Sequence, residues 1–103
     1  MDTMFKNLQV LVIDGQPECV KLLRLALGAL GINDIAVAEN SIAALNALNL
    51  DIYDVVFCDL CIGPIDLWEF TARLRMLEGG ADNKKVYTFA WLHYGLLSLD
   101  TQF

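Results

Sequence analysis

The sequence is short of basic residues. Seven lysines and arginines stand against thirteen acids, which gives the 103-residue chain a formal net charge of −6. Such a surface would repel the phosphates of nucleic acid unless the few cations were clustered, and they are scattered along the chain. Direct contact with nucleic acid is therefore not expected, and the charge bears mainly on solubility and on the sign of any partner.

Long apolar runs and a secretory signal are also missing. Hydrophobic residues make up 56% of the chain, but no uninterrupted run approaches the length of about 20 residues that a membrane-spanning helix needs. The stretch MDTMFKNLQ shows no basic segment followed by an apolar one, so no signal peptide is expected. Three cysteines are an odd number, and a cytoplasmic protein with reduced thiols and no membrane contact is expected.

Short apolar runs alternate with longer helical patterns along the chain. Runs rich in β-branched residues predict four strands, at 9–13, 34–38, 54–59 and 86–90. Helical patterns predict three helices, at 18–30 closed by Gly31, from Asn40 or Ser41 through residue 50, and at 67–78 capped by Asp66. The tail 91–103 is expected to hold at most one short helix.

The alternation of strands and helices predicts a parallel sheet with helices on both faces. In such sheets the functional groups gather at the carboxyl ends of the strands. Asp14 follows the first predicted strand and Asp59 ends the third. These two carboxylates are the first indication of a functional site.

Three segments in this order resemble the response-regulator receiver domain of two-component signalling: VLVIDGQP, AENSIAALNAL and YDVVFCDLCIGPIDLWEF. They look like the first strand with its acidic turn, the second strand and helix, and the third strand with the phosphoacceptor aspartate, loop and third helix. The similarity covers roughly residues 8–91. It implies one receiver-like domain over 1–103, with an atypical tail at 91–103. The fold would be a flavodoxin-like, doubly wound α/β domain with strand order 2-1-3-4, lacking the family's fifth strand and helix.

The resemblance also implies roles for individual residues. Asp59 matches the phosphoacceptor, Asp14 matches the first of two acids on the metal side, and the backbone carbonyl of Cys61 matches a metal ligand. In this family a magnesium ion neutralises the charge that gathers as the phosphoryl group is transferred. The implied role is signalling rather than enzymatic turnover. The implied partner is a sensor histidine kinase, a phosphotransfer protein or another signalling protein.

The sequence departs from the family pattern at several site positions. Gly15 stands where the second acid belongs, and Ala90 stands where a hydroxyl belongs, with Thr88 about 7 Å back along the strand. The family's lysine would follow a fifth strand, and Lys84 and Lys85 enter the fourth strand about 17 Å from Asp59. We therefore expect weak or absent Mg²⁺ binding and slow or absent phosphorylation.

Two other functions are consistent with the same residues. The first is a pseudo-receiver, a protein–protein interaction module that works without phosphorylation. The second, more distant, is a thiol or metal protein using Cys58 and Cys61. Cys58 lies inside a predicted buried strand, where a thiol behaves as a small hydrophobe, and His93 alone cannot complete a zinc site. Three free thiols and no zinc are therefore expected.

A homodimer is also expected. Without a fifth strand, the strand 86–90 would be a bare sheet edge, and the helix 18–30 is apolar around most of its circumference. Contact through either surface would cover the exposed apolar area, with exchange of the tails as a further possibility. In the alternative, apolar residues of the tail cover the helix: Leu92, Leu96, Leu97, Leu99 and Phe103.

Overall fold

Strands and helices alternate through the described part of the chain. The computed structural model describes residues 7–59, 62–78, 86–92 and 95–98. In chain order the elements are β1 (Gln9–Ile13), α1 (Pro17–Ala29), β2 (Asp34–Ala38), α2 (Ser41–Leu50), β3 (Val55–Asp59), α3 (Leu67–Glu78), β4 (Tyr87–Leu92) and β5 (Gly95–Ser98). No helix within these ranges has both the length and the apolar character needed to cross a membrane.

One sheet organises the molecule. Its strand order is β2-β1-β3-β4-β5, and β1 to β4 all pair in parallel. This confirms the predicted parallel sheet with order 2-1-3-4 and three helices between the strands. The carboxyl ends of β1 and β3 therefore meet at one edge of the sheet, as they do in other doubly wound folds.

The outer edge of β4 is paired, which corrects two predictions. β5 runs antiparallel to β4, with register from Phe89↔Ser98 to Leu92↔Gly95. The predicted bare edge at the fourth strand is therefore wrong, because the backbone groups of β4 bond to the tail. The predicted short helix is also wrong over Gly95–Ser98, where the segment GLLS is a strand. The tail therefore supplies a short antiparallel strand at this edge of the sheet.

Side-chain and backbone bonds fix the helix ends where the sequence predicted them. Asn40, rather than Ser41, caps α2, since its Oδ1 accepts from the Ala43 N–H at 2.9 Å. Asp66 caps α3 in the same way, accepting from the Glu69 N–H at 2.8 Å. Gly31 follows α1 with φ of 88°, a left-handed conformation that favours glycine.

The two faces of the sheet are covered unequally. The face toward α2 and α3 packs a large fully buried cluster that includes Leu11, Val56, Phe70 and Leu74. The opposite face packs a smaller one around Val10, Val12, Leu27 and Ile32. Most of the hydrophobic burial therefore lies on the α2–α3 side.

Helix α1 leaves much of its apolar surface open. All of its residues are described, and only Leu27 is fully buried. Leu22 and Leu25 are 66% and 65% exposed. Of the tail residues that could cover this helix, Leu96 and Leu97 lie in the strand paired with β4. Leu99 and Phe103 lie outside the described residues.

Candidate functional site: paired carboxylates at the ends of β1 and β3

The backbone register brings two aspartates together at the carboxyl edge of the sheet. Ile13 of β1 pairs with Cys58 of β3, so Asp14 and Asp59 occupy the next register level on adjacent strands. The Asp14 N–H donates to the Ala38 carbonyl at 3.0 Å, which continues the β1–β2 ladder through this residue. Two parallel strands thus deliver two carboxylates side by side.

The surroundings of Asp14 disfavour its charge. Asp14 is only 4% exposed, and this burial is the main cause that raises the pKa of its carboxyl group. The negative charge of Asp59 raises that pKa further. A hydrogen bond from the Gln16 N–H to Oδ1, at 2.9 Å, acts in the opposite direction and lowers it. The free energy of such a carboxylate pair is lowered when a cation binds beside it, or when one of the two carboxylates loses its negative charge.

Gly15 directly follows Asp14, at the position that the sequence resemblance matched to a second acid. It is exposed, and its φ is not in the left-handed region. The nearest atom to an added Cβ would be the backbone oxygen of Glu39, at 3.4 Å, which is close to ordinary van der Waals contact. The local backbone therefore does not require glycine, and a carboxylate would fit there.

Strand β4 places no hydroxyl beside Asp59. The register partner of Asp59 is Trp91, and Ala90 pairs with Cys58. Thr88 pairs with Val56, three positions back, which is about 10 Å along the strand. Thr88 therefore cannot replace the missing hydroxyl, as its distance from Ala90 predicted.

The Thr88 hydroxyl instead takes part in a contact that the sequence did not indicate. It donates to the Val86 carbonyl at 3.3 Å and accepts from Nη2 of Arg75 at 3.4 Å, while Nη1 of Arg75 donates to the Val86 carbonyl at 3.0 Å. These bonds join the last turn of α3 to the start of β4. No sequence signal pairs an arginine on a helix with a strand eleven or more residues away.

The donor set fits a divalent cation only in part. Two carboxylates, Asp14 and Asp59, are oxygen ligands of the kind that Mg²⁺ prefers. Within the described ranges, no group of three or more His, Cys, Asp or Glu residues could hold a metal ion. Cys61, the predicted carbonyl ligand, lies outside the described residues, as do Lys84, Lys85 and His93.

Cys58 is placed where its thiol has little reactivity. It is fully buried, and its Sγ donates to the Phe89 carbonyl at 3.5 Å. Burial raises the pKa of the Cys58 thiol to about 12, with a smaller contribution from the negative charge of Asp59. Because the thiolate is the reactive form, thiol chemistry at Cys58 is suppressed near neutral pH.

Cys19 lies closer to the carboxylates than the sequence suggested. It sits in the first turn of α1, half-buried, and its Sγ donates to Oε1 of Gln16 at 3.4 Å. Desolvation raises the pKa of this thiol, and the charges of Asp14 and Asp59 raise it further. Its position depends on how α1 docks on the sheet, which the sequence alone did not specify.

Comparison with known proteins agrees with this geometry at the level of fold. Neither a protein-family profile nor a curated protein matches the sequence. Among solved structures, the chain is similar to a CheY-like response regulator receiver domain from Methylobacillus flagellatus, with a TM-score of 0.64 and 23% identity over 81% of this chain and 67% of that one. It is also similar to a mutant of the receiver domain of the histidine kinase CKI1 from Arabidopsis thaliana, with a TM-score of 0.70 and 17% identity over 85% of this chain and 67% of that one.

The chain therefore has the receiver-domain fold: a doubly wound parallel sheet with its acidic edge at the carboxyl ends of β1 and β3. The resemblance seen in the sequence is confirmed for the architecture. The pair Asp14 and Asp59 lies at the edge of the sheet where such folds place their ligands.

Proposed function

We propose that this chain is a receiver-like signalling module of a two-component phosphorelay, with Asp59 as its candidate phosphoacceptor. One observation carries the proposal: the register of β1 and β3 sets Asp59 beside a second, buried carboxylate, Asp14, at the ligand-binding edge of a receiver fold. The proposed partner is a sensor histidine kinase, a phosphotransfer protein or another signalling protein. The proposed setting is the cytoplasm, without direct binding to nucleic acid or membrane.

In this proposal a carboxylate oxygen of Asp59 attacks the phosphorus of a phosphodonor. A new oxygen–phosphorus bond forms, and the leaving group departs with the electrons of the bond that breaks. Asp14, Asp59 and the carbonyl of Cys61 are the residues that would hold Mg²⁺, which when bound neutralises charge on the phosphoryl oxygens. The protein acts as acceptor and switch, without catalytic turnover of its own.

If Asp59 is the phosphoacceptor, we expect its modification to be slow. Gly15 supplies no second acid, so Mg²⁺ binding is weak, and β4 sets no hydroxyl beside Asp59 among its described residues. Each missing group removes stabilisation of the charge that develops during transfer. The decisive experiment is incubation with acetyl phosphate and MgCl₂, followed by intact mass. A small, Mg²⁺-dependent fraction carrying one phosphoryl group is expected, and Asp59→Asn should abolish it.

A phosphorylation-independent interaction module is the second candidate. It is favoured by the missing acid at Gly15 together with the large apolar side chains exposed on α1, Leu22 and Leu25. If intact mass shows no phosphoryl group while circular dichroism shows a folded protein, this function replaces the first. Rapid, complete modification that requires both Mg²⁺ and Asp59 would instead overturn it.

A thiol or metal function based on Cys58 and Cys61 has less support. The buried Cys58 thiol has its pKa raised to about 12, and both described cysteines, Cys19 and Cys58, are free. A redox cysteine needs an accessible thiolate, which this burial removes.

A homodimer is also part of the proposal, with α1 as its contact surface. The edge of β4 is occupied by β5, so pairing of two copies through that strand is set aside. The exposed Leu22 and Leu25 form an apolar stripe that a second copy of the chain would cover.

A further inference from the structure

An open groove runs between α1 and the edge strand β2. Its volume is about 380 Å³, within the range of roughly 300–1,000 Å³ that small-molecule sites occupy. Since β1 separates β2 from β3 in the sheet, the groove lies on the opposite side of Asp14 from Asp59. It extends away from the paired carboxylates, although Asp14 and Gly15 of that site also line the groove. We call it the α1–β2 groove.

The helix wall of the α1–β2 groove carries two cations. Lys21 and Arg24 lie three residues apart on α1, so they project from the same side of the helix. Neither forms an ion pair or a hydrogen bond with another residue of the described ranges. Both residues are exposed, so both cations are accessible to a ligand.

The other end of the α1–β2 groove is acidic. Asp14 and Glu39 directly follow β1 and β2, so both stand at the carboxyl edge of the sheet. Helix α1 begins at this edge with Pro17 and leads away from it, which places Lys21 and Arg24 one and two turns farther down. Val20 and Val37 line the stretch between the two charged ends. The groove therefore has a negative end, an apolar middle and a positive end.

We propose that the α1–β2 groove binds a short zwitterionic peptide. Its ammonium group lies toward Asp14 and Glu39, and its carboxylate lies toward Lys21 and Arg24. The helix segment from Pro17 to Arg24 spans about 10 Å at 1.5 Å per residue. An extended tripeptide has nearly the same length, at about 3.3–3.6 Å per residue. A simple anion or a metal ion would meet repulsion at one of the two ends, whereas a zwitterion meets none.

Titration calorimetry with alanyl-valyl-alanine tests this proposal. The free peptide should bind, and acetylating its amine or amidating its carboxylate should each weaken binding about two- to fivefold, the contribution of an exposed ion pair. Arg24→Gln should weaken binding of the free peptide by a similar factor. It should not affect the amidated peptide, which has no carboxylate for Arg24 to bind. Glu39→Gln should likewise weaken binding of the free peptide and should not affect the acetylated peptide, which has no ammonium group. Arg73→Gln, on an exposed face of α3, is the matched control and should change nothing.

A steric variant completes the experiment. Val37 is exposed on β2, so Val37→Trp should fold normally and abolish binding by filling the α1–β2 groove. Circular dichroism confirms the fold of each variant. The proposal is overturned by the absence of binding at millimolar peptide, by equal binding of free and blocked peptides, or by Val37→Trp binding like the parent chain. None of these results depends on whether Asp59 accepts a phosphoryl group, so failure here leaves the signalling function standing.

Discussion

Asp14 shows how a residue's surroundings can oppose its charge. Burial raises the pKa of its carboxyl group above that of the unfolded chain, and Asp59 adds to the effect. The folded state therefore holds this proton to a higher pH than the unfolded state does. By linkage, the contribution of Asp14 to the free energy of unfolding is greatest when the group is protonated, falls as the pH rises through the folded pKa, and stays low above it.

We therefore predict that Asp14→Asn stabilises the fold at neutral pH. The amide keeps an oxygen that can accept from the Gln16 N–H, while the buried charge beside Asp59 is removed. Urea titrations between acidic and neutral pH should show the gain at neutral pH and its loss in acid. Asp51→Asn, which removes an exposed carboxylate, is the control. An equal gain in both variants would assign the effect to net charge rather than to burial.

Gly15 is the second informative residue, because the backbone there accepts a side chain. We predict that Gly15→Asp tightens Mg²⁺ binding by about tenfold or more. Removing a residue that only orients a metal ligand weakens metal binding by about 10–100-fold, and an added ligand should have at least the smaller of these effects. Phosphorylation of Asp59 by acetyl phosphate should become faster in the same variant. Gly28→Asp adds the same charge in open space on α1 and should do neither. If both variants respond alike, the added charge acts at a distance and not as a ligand.

At the scale of elements, α3 and α1 contribute to the fold in different ways. Phe70 and Leu74 of α3 are fully buried against the sheet, whereas α1 buries Leu27 alone. Hydrophobic stabilisation follows the apolar area removed from water, so the core should be concentrated around α3.

This contrast gives a prediction about stability. Phe70→Ala should lower the free energy of unfolding by about 3–5 kcal/mol, the usual result of deleting a buried aromatic ring. Leu25→Ala, on the exposed side of α1, should change it by less than about 0.5 kcal/mol at low protein concentration, where the chain is a monomer. Urea denaturation followed by circular dichroism measures both. A large loss in the Leu25 variant at that concentration would mean that this side chain is covered within the monomer.

The sequence predicted the elements whose signals are local. Alternating strands and helices, the caps at Asn40 and Asp66 and the left-handed Gly31 are all set by neighbouring residues. The sheet order came instead from the resemblance to the receiver family, and the structure confirms it. The strand β5 could not be predicted in this way. Its segment GLLS contains no β-branched residue, and its conformation depends on pairing with β4, a tertiary interaction.

The candidate site also combines features that the sequence predicts with features that depend on tertiary packing. The two aspartates lie at strand ends, so the pattern of strands predicted that they share one edge of the sheet, and the strand order implied by the resemblance placed them on adjacent strands. The burial of Asp14, the proximity of Cys19 and the contact between Arg75 and Thr88 depend on how helices dock on the sheet. Hydrophobic periodicity indicates which side of a helix faces the core but not which polar side chains meet.

At the scale of the whole molecule, the exposed stripe on α1 predicts a homodimer. Leu22 and Leu25 are more than half exposed, and a twofold contact between two α1 helices would remove both from water. Light scattering across a concentration series should show a mass that rises to that of a dimer at high micromolar protein.

Leu22→Lys together with Leu25→Lys should shift the protein to the monomer, because like charges would then face each other. The matched control is Leu50→Lys, an exposed leucine at the end of α2. A monomer at every concentration, or dissociation by the control as well, would contradict an α1 interface.

The direction of β5 determines where the backbone lies at Ser98, the last residue of that strand. The four parallel strands all point toward the acidic edge, but β5 turns back, and by Ser98 the backbone has travelled about 10 Å away from the level of Leu92. A label attached at Ser98 itself would therefore start two residues, or about 7 Å, below the level of Asp59 in the sheet, because Ser98 pairs with Phe89 and Asp59 pairs with Trp91. Attached there, a label leaves the carboxylates accessible, whereas one inserted between β3 and α3 would sit beside them.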